Sequence, residues 1–249
     1  MIIIIPGACG RIGKTVTQHL FEKGHTLILG DSNRTNLENI RKKIGHSTRV
    51  SFFIGDLTKQ KNIKKFISSG MKKFGKIDVA VNCLYPKSKN WDQKIGNLME
   101  KDVSNFFSAN LVSTLIFAQE IIKVFLRFKK GNLINISSIQ GSSAPKFNHY
   151  KNLNMHSPIQ YSATKAAIIS ITKYLAKLYG KNNIRVNCLS PGGIKDKQPK
   201  KFMQRYRLSC SGTKGLLEPD DLNKALEFLI EKSAFINGQN LIIDDGWDL

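Results

Sequence analysis

Cysteine is scarce in this 249-residue chain: Cys9, Cys83, Cys188 and Cys210 are the only four, and no two form a CxxC pair. That spacing suits neither a disulfide scaffold nor a zinc site, and it points to a reducing compartment. Linker composition is also missing. No Pro-, Gly- or Ser-rich stretch divides the chain and no repeat recurs at solenoid or propeller spacing, so residues 1–249 read as one domain. No apolar run approaches the roughly 18 residues that span a bilayer. Four isoleucines within residues 1–5 are too few for a signal-peptide core. The expectation is a cytoplasmic protein with no membrane partner.

Acidic residues are few as well, 18 against 39 Lys and Arg, leaving a formal net charge of +21. Such a field draws in anionic partners, whether nucleic acid, acidic proteins or phosphorylated substrates. The lysines are spread along the whole chain and no nucleic-acid motif accompanies them, so nucleic acid is not an expected partner.

What the chain does have is alternation. Short β-rich runs at 2–5, 26–29, 50–54, 77–82, 132–136, 184–189 and 240–243 are separated by stretches of helical period at 12–21, 35–44, 58–73, 102–128, 161–179 and 219–231. Continuous apolar strands between helices imply a parallel sheet covered on both faces. The predicted fold is α/β: one doubly wound Rossmann domain, a seven-stranded parallel sheet with helices on both sides, and ligands outside the strands' C-terminal ends. Gly24, Gly45 and Gly180 are read as helix-terminating glycines. Residues 142–160 and 193–215 are two long irregular stretches, of a length that is uncommon in loops without a function.

The first strand runs into Pro6-Gly7-Ala8-Cys9-Gly10-Arg11-Ile12-Gly13 and then a helix. Gly7 permits the sharp turn, Gly10 lets a pyrophosphate approach the backbone, and Gly13 allows close helix–strand packing. The second strand ends at Asp31, 24 residues after Gly7. An acid there accepts from the adenosine ribose hydroxyls and repels a 2′-phosphate, which favours NAD. Arg34 follows closely and offsets that repulsion, so NADP stays open. Asp56, after the third strand, either takes a hydrogen bond from the adenine amino group or caps the next helix.

Tyr161 and Lys165 stack on one face of a helix by their i,i+4 spacing. A phenol is a poor base at neutral pH, and a neighbouring ammonium together with a positive nicotinamide ring would lower its pKa. Upstream, the strand ending in Asn135-Ile136-Ser137-Ser138 puts the Ser138 hydroxyl where it can hold a substrate carbonyl or alkoxide. Downstream, Ser190-Pro191-Gly192-Gly193 turns the chain towards the nicotinamide.

These features together resemble the short-chain dehydrogenase/reductase family in its compact form, over nearly the whole chain: the turn from Gly7 to Gly13, Asp31, Asp56, Val81-Asn82, Asn110, Ser138, Tyr161, Lys165, Pro191-Gly192 and the tail from Asn237-Gly238-Gln239 to Asp245-Gly246. The resemblance implies an NAD(P)-dependent oxidoreductase moving a hydride between the cofactor and an alcohol or carbonyl. In it, Tyr161 is the acid/base, Ser138 orients the carbonyl, Lys165 also grips the nicotinamide ribose, and Asn110 holds a water linking Lys165 to solvent. Cys9, Arg11 and Ile12 in the turn, Leu57 beside Asp56, Asn82, and Ile194 beyond Gly192 complete the implied cofactor contacts. It also implies a homo-tetramer or homo-dimer packed through helices 102–128 and 161–179.

The chain departs from the family pattern in several places. Pro6 replaces the Thr whose hydroxyl supports the turn, and Arg11 stands in the usual second-Gly place. Cys83-Leu84-Tyr85 replaces Asn-Ala-Gly, and Asp196 stands where a Thr often meets the nicotinamide amide. Ser138 and Tyr161 are 23 residues apart, longer than usual.

The long stretch before Tyr161, with Ser190 to Pro199 and the ending Ile243-Asp244-Asp245-Gly246-Trp247, is similar to a subgroup in bacterial surface-sugar and flagellin-modification (nonulosonate) pathways. That similarity implies an anionic sugar-type alcohol. Lys146, His149, Lys151 and His156 in one loop, and Lys195, Lys197, Lys200, Lys201, Arg205 and Arg207 in the other, either recognise its phosphate or carboxylate or form a solvated basic surface. Two alternatives stay open: a 3-oxoacyl carrier-protein reductase, and a non-catalytic dinucleotide sensor or scaffold. His149 and His156 lack a carboxylate cluster, so they read as loop histidines and no metal is expected.

Overall fold

The computed structural model describes residues 1–45, 47–87 and 89–249. Its elements run β1 (Ile2–Pro6), α1 (Arg11–Glu22), β2 (Thr26–Asp31), α2 (Arg34–Ile44), β3 (Val50–Ile54), α3 (Gln60–Phe74) and β4 (Val79–Asn82). There follow α4 (Glu100–Phe107), α5 (Ser113–Phe128), β5 (Gly131–Ile136), α6 (Ile159–Tyr179), β6 (Ile184–Pro191), α7 (Lys200–Leu208), α8 (Asn223–Glu231) and β7 (Asn240–Ile243). Among the described residues, seven strands form one sheet in the order β3-β2-β1-β4-β5-β6-β7. Every pairing is parallel, from Ile3 against Leu27 and Val79 in the centre to Leu189 against Leu241 at the edge.

Successive strand residues point to opposite faces, and both faces are buried, which is why the strands read as unbroken apolar runs. Ile3 and Ile5 pack with Val16 and Leu20 of α1, Leu37 of α2 and Leu226 of α8. Ile4, between them, packs on the other side with Phe66 of α3, Phe117 and Phe125 of α5 and Ala176 of α6. The sheet order reverses between β1 and β4, the position where an open α/β sheet leaves a crevice at its C-terminal edge.

Helices α4 and α5 are joined through a π turn, Ser108–Val112, into one continuous helix from Glu100 to Phe128. By length and composition that 29-residue helix could cross a membrane. Here Phe106, Phe117, Ile121 and Phe125 are fully buried against the rest of the chain, so it serves as a core helix.

Two sequence expectations are corrected. Residues 193–215 are not wholly irregular, because α7 occupies their middle. Its signal is only the i,i+4 pair Phe202 and Tyr206 between basic residues, too short to stand out, yet both rings are buried. Gly180 is the C-cap of α6, as expected, but in right-handed conformation at φ −57°: the chain continues through a 3-10 turn, Gly180–Asn182, and it is Asn183 that adopts the left-handed conformation at φ 60°. Asn tolerates that conformation better than most residues.

Candidate active site

At the C-terminal ends of the strands lies a crevice of about 710 Å³ that runs from the glycine turn to the two long loops. Its floor near β1 depends on backbone that only glycine accommodates. Gly7 has φ +75°, and a Cβ there would lie 2.6 Å from the Cys83 carbonyl oxygen. A Cβ on Gly13 would overlap the Gly7 carbonyl oxygen. At Gly10 the nearest atom to an added Cβ is the Gly7 oxygen at 3.3 Å, so this glycine mainly keeps its crevice side open. Helix α1 starts beside it with no side-chain cap and no acidic residue in its first turn. Uncapped N–H groups and the positive end of a helix make an anion site, and the fit to a dinucleotide's pyrophosphate is direct.

Pro6 supplies no hydroxyl to this turn, and Asp31 takes over the task. Asp31 Oδ2 accepts from the Cys9 N–H at 2.9 Å and Oδ1 from the Asn33 N–H at 3.0 Å, while Gly7 and Ala8 donate to the Gly30 carbonyl. Each carboxylate oxygen keeps capacity for a further donor, and Asp31 lines the crevice. Arg34 is turned away, towards Glu38 at 4.0 Å, and both side chains are exposed. Asp56 is engaged by Thr58, whose N–H and hydroxyl reach Oδ1 at 2.9 and 2.7 Å. It thus closes the turn before α3, whose N-cap Lys59 has no side-chain cap, while also lining the crevice with Leu57.

At the other end of the crevice stand Ser138, Tyr161 and Lys165. Ser138 closes β5 in extended conformation, and its Oγ accepts from the Gln140 N–H at 3.2 Å. The turn after it must lie flat on α6: a Cβ on Gly141 would come within 2.7 Å of the Lys165 backbone. Lys165 donates to the Ile136 carbonyl at 3.0 Å, and its Nζ stands 5.6 Å from the centre of the Tyr161 ring and 5.2 Å from that of Tyr85.

Burial pushes the Lys165 ammonium down to about 8, opposed by the nearby Cys188 and Cys83. Burial also raises the Tyr161 phenol, against a hydrogen bond from Ser138. Desolvation disfavours the phenolate and outweighs the Ser138 hydrogen bond, so in the protein alone Tyr161 stays a protonated phenol at neutral pH.

Two residues of the sequence-derived set lie behind the crevice wall. Asn82 is buried between Asn135 and Thr114, at 3.4 and 3.5 Å, and its Oδ1 accepts from the Leu84 N–H. Asn110 sits in the π turn, its Nδ2 donating to the Pro86 and Phe106 carbonyls while its buried Oδ1 has no hydrogen-bond partner among the described residues. π turns recur at functional sites, and an orphaned buried oxygen is the type of group a bound water would satisfy.

Pro191, Gly192 and Ile194 line the crevice. Arg11, which also lines it, forms an ion pair with Asp196 across its mouth. The two family departures thus answer each other, one from the glycine turn and one from the loop after β6.

The basic loops behave differently from the anion-binding expectation. Lys146 donates to the Trp247 carbonyl at 2.7 Å, Arg205 to the Lys151 carbonyl at 2.6 Å, and Lys195 to Glu218 at 2.7 Å. Lys200 and Lys201 are exposed at the start of α7, and no Lys or Arg of either loop lines the crevice. His149 is not a surface loop histidine. It is buried, donates to or accepts from Ser209 Oγ at 2.8 Å, and packs edge-on against Phe202 and Trp247.

Tyr85 adds bulk to the crevice wall, as its departure from the family pattern implied, but sequence reasoning missed the rest of the aromatic wall at this end: Trp91, Tyr150, Phe202, Tyr206 and Trp247 all line the crevice. Their only signal was the presence of aromatic residues in stretches read as polar loops.

Residues 7–248 match the protein-family model described as "Enoyl-(Acyl carrier protein) reductase". The chain is 38% identical over 258 residues to "Post-translational flagellin modification protein A" of Campylobacter coli, covering all of this chain and 98% of that one. Among solved structures, a short-chain dehydrogenase of Leptospira borgpetersenii with bound NAD+ superposes with a TM-score of 0.88 at 28% identity, covering 100% of this chain and 92% of the other. ElxO with NADP bound gives 0.82 at 26% identity, covering 99% and 98%. Both solved structures hold a nicotinamide cofactor, and the chain is a member of the short-chain dehydrogenase/reductase family, oxidoreductases that exchange a hydride between that cofactor and an alcohol or carbonyl.

Proposed function

We propose that the chain works as one dinucleotide-binding and catalytic domain that prefers NAD, with residues 142–160 and 193–215 as its substrate loops. The observation carrying this reading is the shared crevice: the glycine turn and Asp31 line one end, and Ser138, Tyr161 and Lys165 the other. NAD when bound supplies the hydride acceptor and NADH the donor. The protein's part is to bind, orient and move a proton. Ser138 Oγ, freed from the Gln140 N–H, orients the substrate oxygen, and Tyr161 gives up or takes the proton at Oη. Lys165 holds the ribose and stabilises the phenolate, and Asn110 Oδ1 anchors a water that returns the proton to solvent.

The NAD preference rests on Asp31 facing the crevice while Arg34 pairs with Glu38. NADH is expected to bind at least about tenfold tighter than NADPH, and Asp31→Ala to narrow that gap. Fluorescence titration with both nucleotides decides it, and tighter NADPH binding by the unmodified protein would reverse the assignment.

A pH dependence follows from Lys165. Its ammonium is present below about 8 and lost as pH rises through that value, so NADH affinity falls with rising pH. Exchanging one charged hydrogen bond to the ribose for a neutral one weakens binding by about three- to tenfold. Titrations between pH 6.5 and 9.5 read this directly, and Lys165→Met flattens the curve. A wild-type affinity that is constant across the range removes Lys165 from the ribose contact.

The substrate reading follows the flagellin-modification relative: a sugar-type alcohol or ketone, handled in the cytoplasm by a homo-oligomer. An anionic group on that substrate lacks support from the loop lysines, which are tied to carbonyls or exposed.

A further inference from the structure

The long stretch between Ser138 and Tyr161 delivers a second polar cluster to the crevice, next to the reacting position. Gln140 stands two residues beyond Ser138. Its Oε1 accepts from Ser157 Oγ at 2.6 Å and from Ser162 Oγ at 3.3 Å. With both lone pairs of that oxygen used, the orientation of the amide is set and its N–H donors are turned to the opposite side. The Tyr150 phenol lies near Gln140 and Ser157, and both lower its pKa against the burial that raises it. The Tyr150 ring is seated on Phe202, centroids 5.2 Å apart. Gln140, Tyr150 and Ser157 line the same crevice as Ser138 and Tyr161, together with the aromatic rings of Tyr85, Trp91, Phe202 and Trp247.

We propose that Gln140 and Tyr150 are specificity-determining residues that recognise an oxygen on the carbon next to the reacting one. The inference rests on the hydride-transfer reading above and narrows its substrate class to vicinal hydroxy-alcohols and hydroxy-ketones. A plain alcohol or an alkyl ketone leaves the Tyr150 hydroxyl and an amide N–H facing apolar atoms. A site built to hydrogen-bond a substrate oxygen discriminates strongly against the analogue that lacks it. The hydroxyls of Ser157 and Ser162 act at one remove, by holding the amide still.

Saturation-transfer NMR on the protein–NADH complex tests this with a matched pair, cis-1,2-cyclohexanediol and cyclohexanol, in dead-end complexes that do not turn over. The diol is expected to bind about tenfold tighter than the monool, the worth of one or two hydrogen bonds. Tyr150→Phe, which keeps the ring on Phe202, and Gln140→Leu are each expected to bring the ratio close to one. Equal binding of the two probes, no saturable binding of the diol, or a ratio unchanged in both variants overturns the proposal. An NADH titration run alongside separates the two levels. Failure to bind NADH strikes at the hydride-transfer reading itself, whereas normal NADH binding without diol preference removes only the role of Gln140 and Tyr150.

Discussion

Replacing Tyr161 by Phe is expected to lower turnover by about 10²- to 10⁴-fold, equivalent to about 3 to 5 kcal/mol of lost transition-state stabilisation, while NADH still binds. The ring itself is positioned by neighbours the substitution leaves in place: Tyr85 packs edge-on at 5.4 Å and Lys165 Nζ stands 5.6 Å from the ring centre. Only the hydroxyl is removed, and with it the proton that must reach or leave the substrate oxygen. Burial holds that phenol protonated in the protein, the form suited to carbonyl reduction. Steady-state rates beside an NADH titration decide the matter, and turnover within a few-fold of wild type would strip Tyr161 of the acid/base role.

Gly13→Ala carries the second large effect, on the cofactor end and on the fold together. The added methyl would overlap the Gly7 carbonyl oxygen and lie within 3.1 Å of the Ala8 carbonyl carbon. Those are backbone atoms of a turn tied to Gly30 and Asp31, so no side-chain rotation relieves the clash. The turn must move, at a cost of about 1 to 3 kcal/mol by analogy with overpacked cores. For a chain of this size that is a Tm lower by about 2 to 10 °C. NADH affinity should fall at least about tenfold, because the displaced turn no longer presents the start of α1. Gly24→Ala serves as the comparison: an added Cβ there meets nothing within 4 Å, although its φ of +85° keeps some backbone strain. Equal Tm and NADH affinity for Gly13→Ala and wild type would show that the turn yields more readily than its packing implies.

Much of this architecture was legible before any coordinates. Seven apolar runs alternating with helical periods lead to a parallel sheet, because strands buried on both faces cannot show polar alternation. The order of Gly7, Gly10 and Gly13 between strand and helix is equally informative, since φ +75° and a Cβ-free contact are demands that only glycine meets. The i,i+4 pair Tyr161 and Lys165 is local geometry and reads directly from spacing.

Other features depended on which distant segments meet. Asp31 was legible as a ribose acceptor, yet its replacement of the missing Pro6 hydroxyl needs the Cys9 N–H to lie 2.9 Å away. The Arg11–Asp196 pair joins residues 185 positions apart in the chain. The loop lysines were ambiguous in sequence because a Lys side chain reaches carbonyls, carboxylates or solvent with equal ease. Packing sent Lys146 to Trp247 and Lys195 to Glu218.

Periodicity, glycine placement and the short-range pairing of a phenol with an amine are local consequences of backbone geometry, so the amino-acid order alone determined the sheet, the glycine turn and the placing of Tyr161 with Lys165 on one helix face. Long-range encounter and burial are not local. Only the tertiary structure decided that aromatic residues wall the substrate end, that the lysines and arginines of the two long loops stay out of its lining, and that burial keeps the Tyr161 phenol protonated.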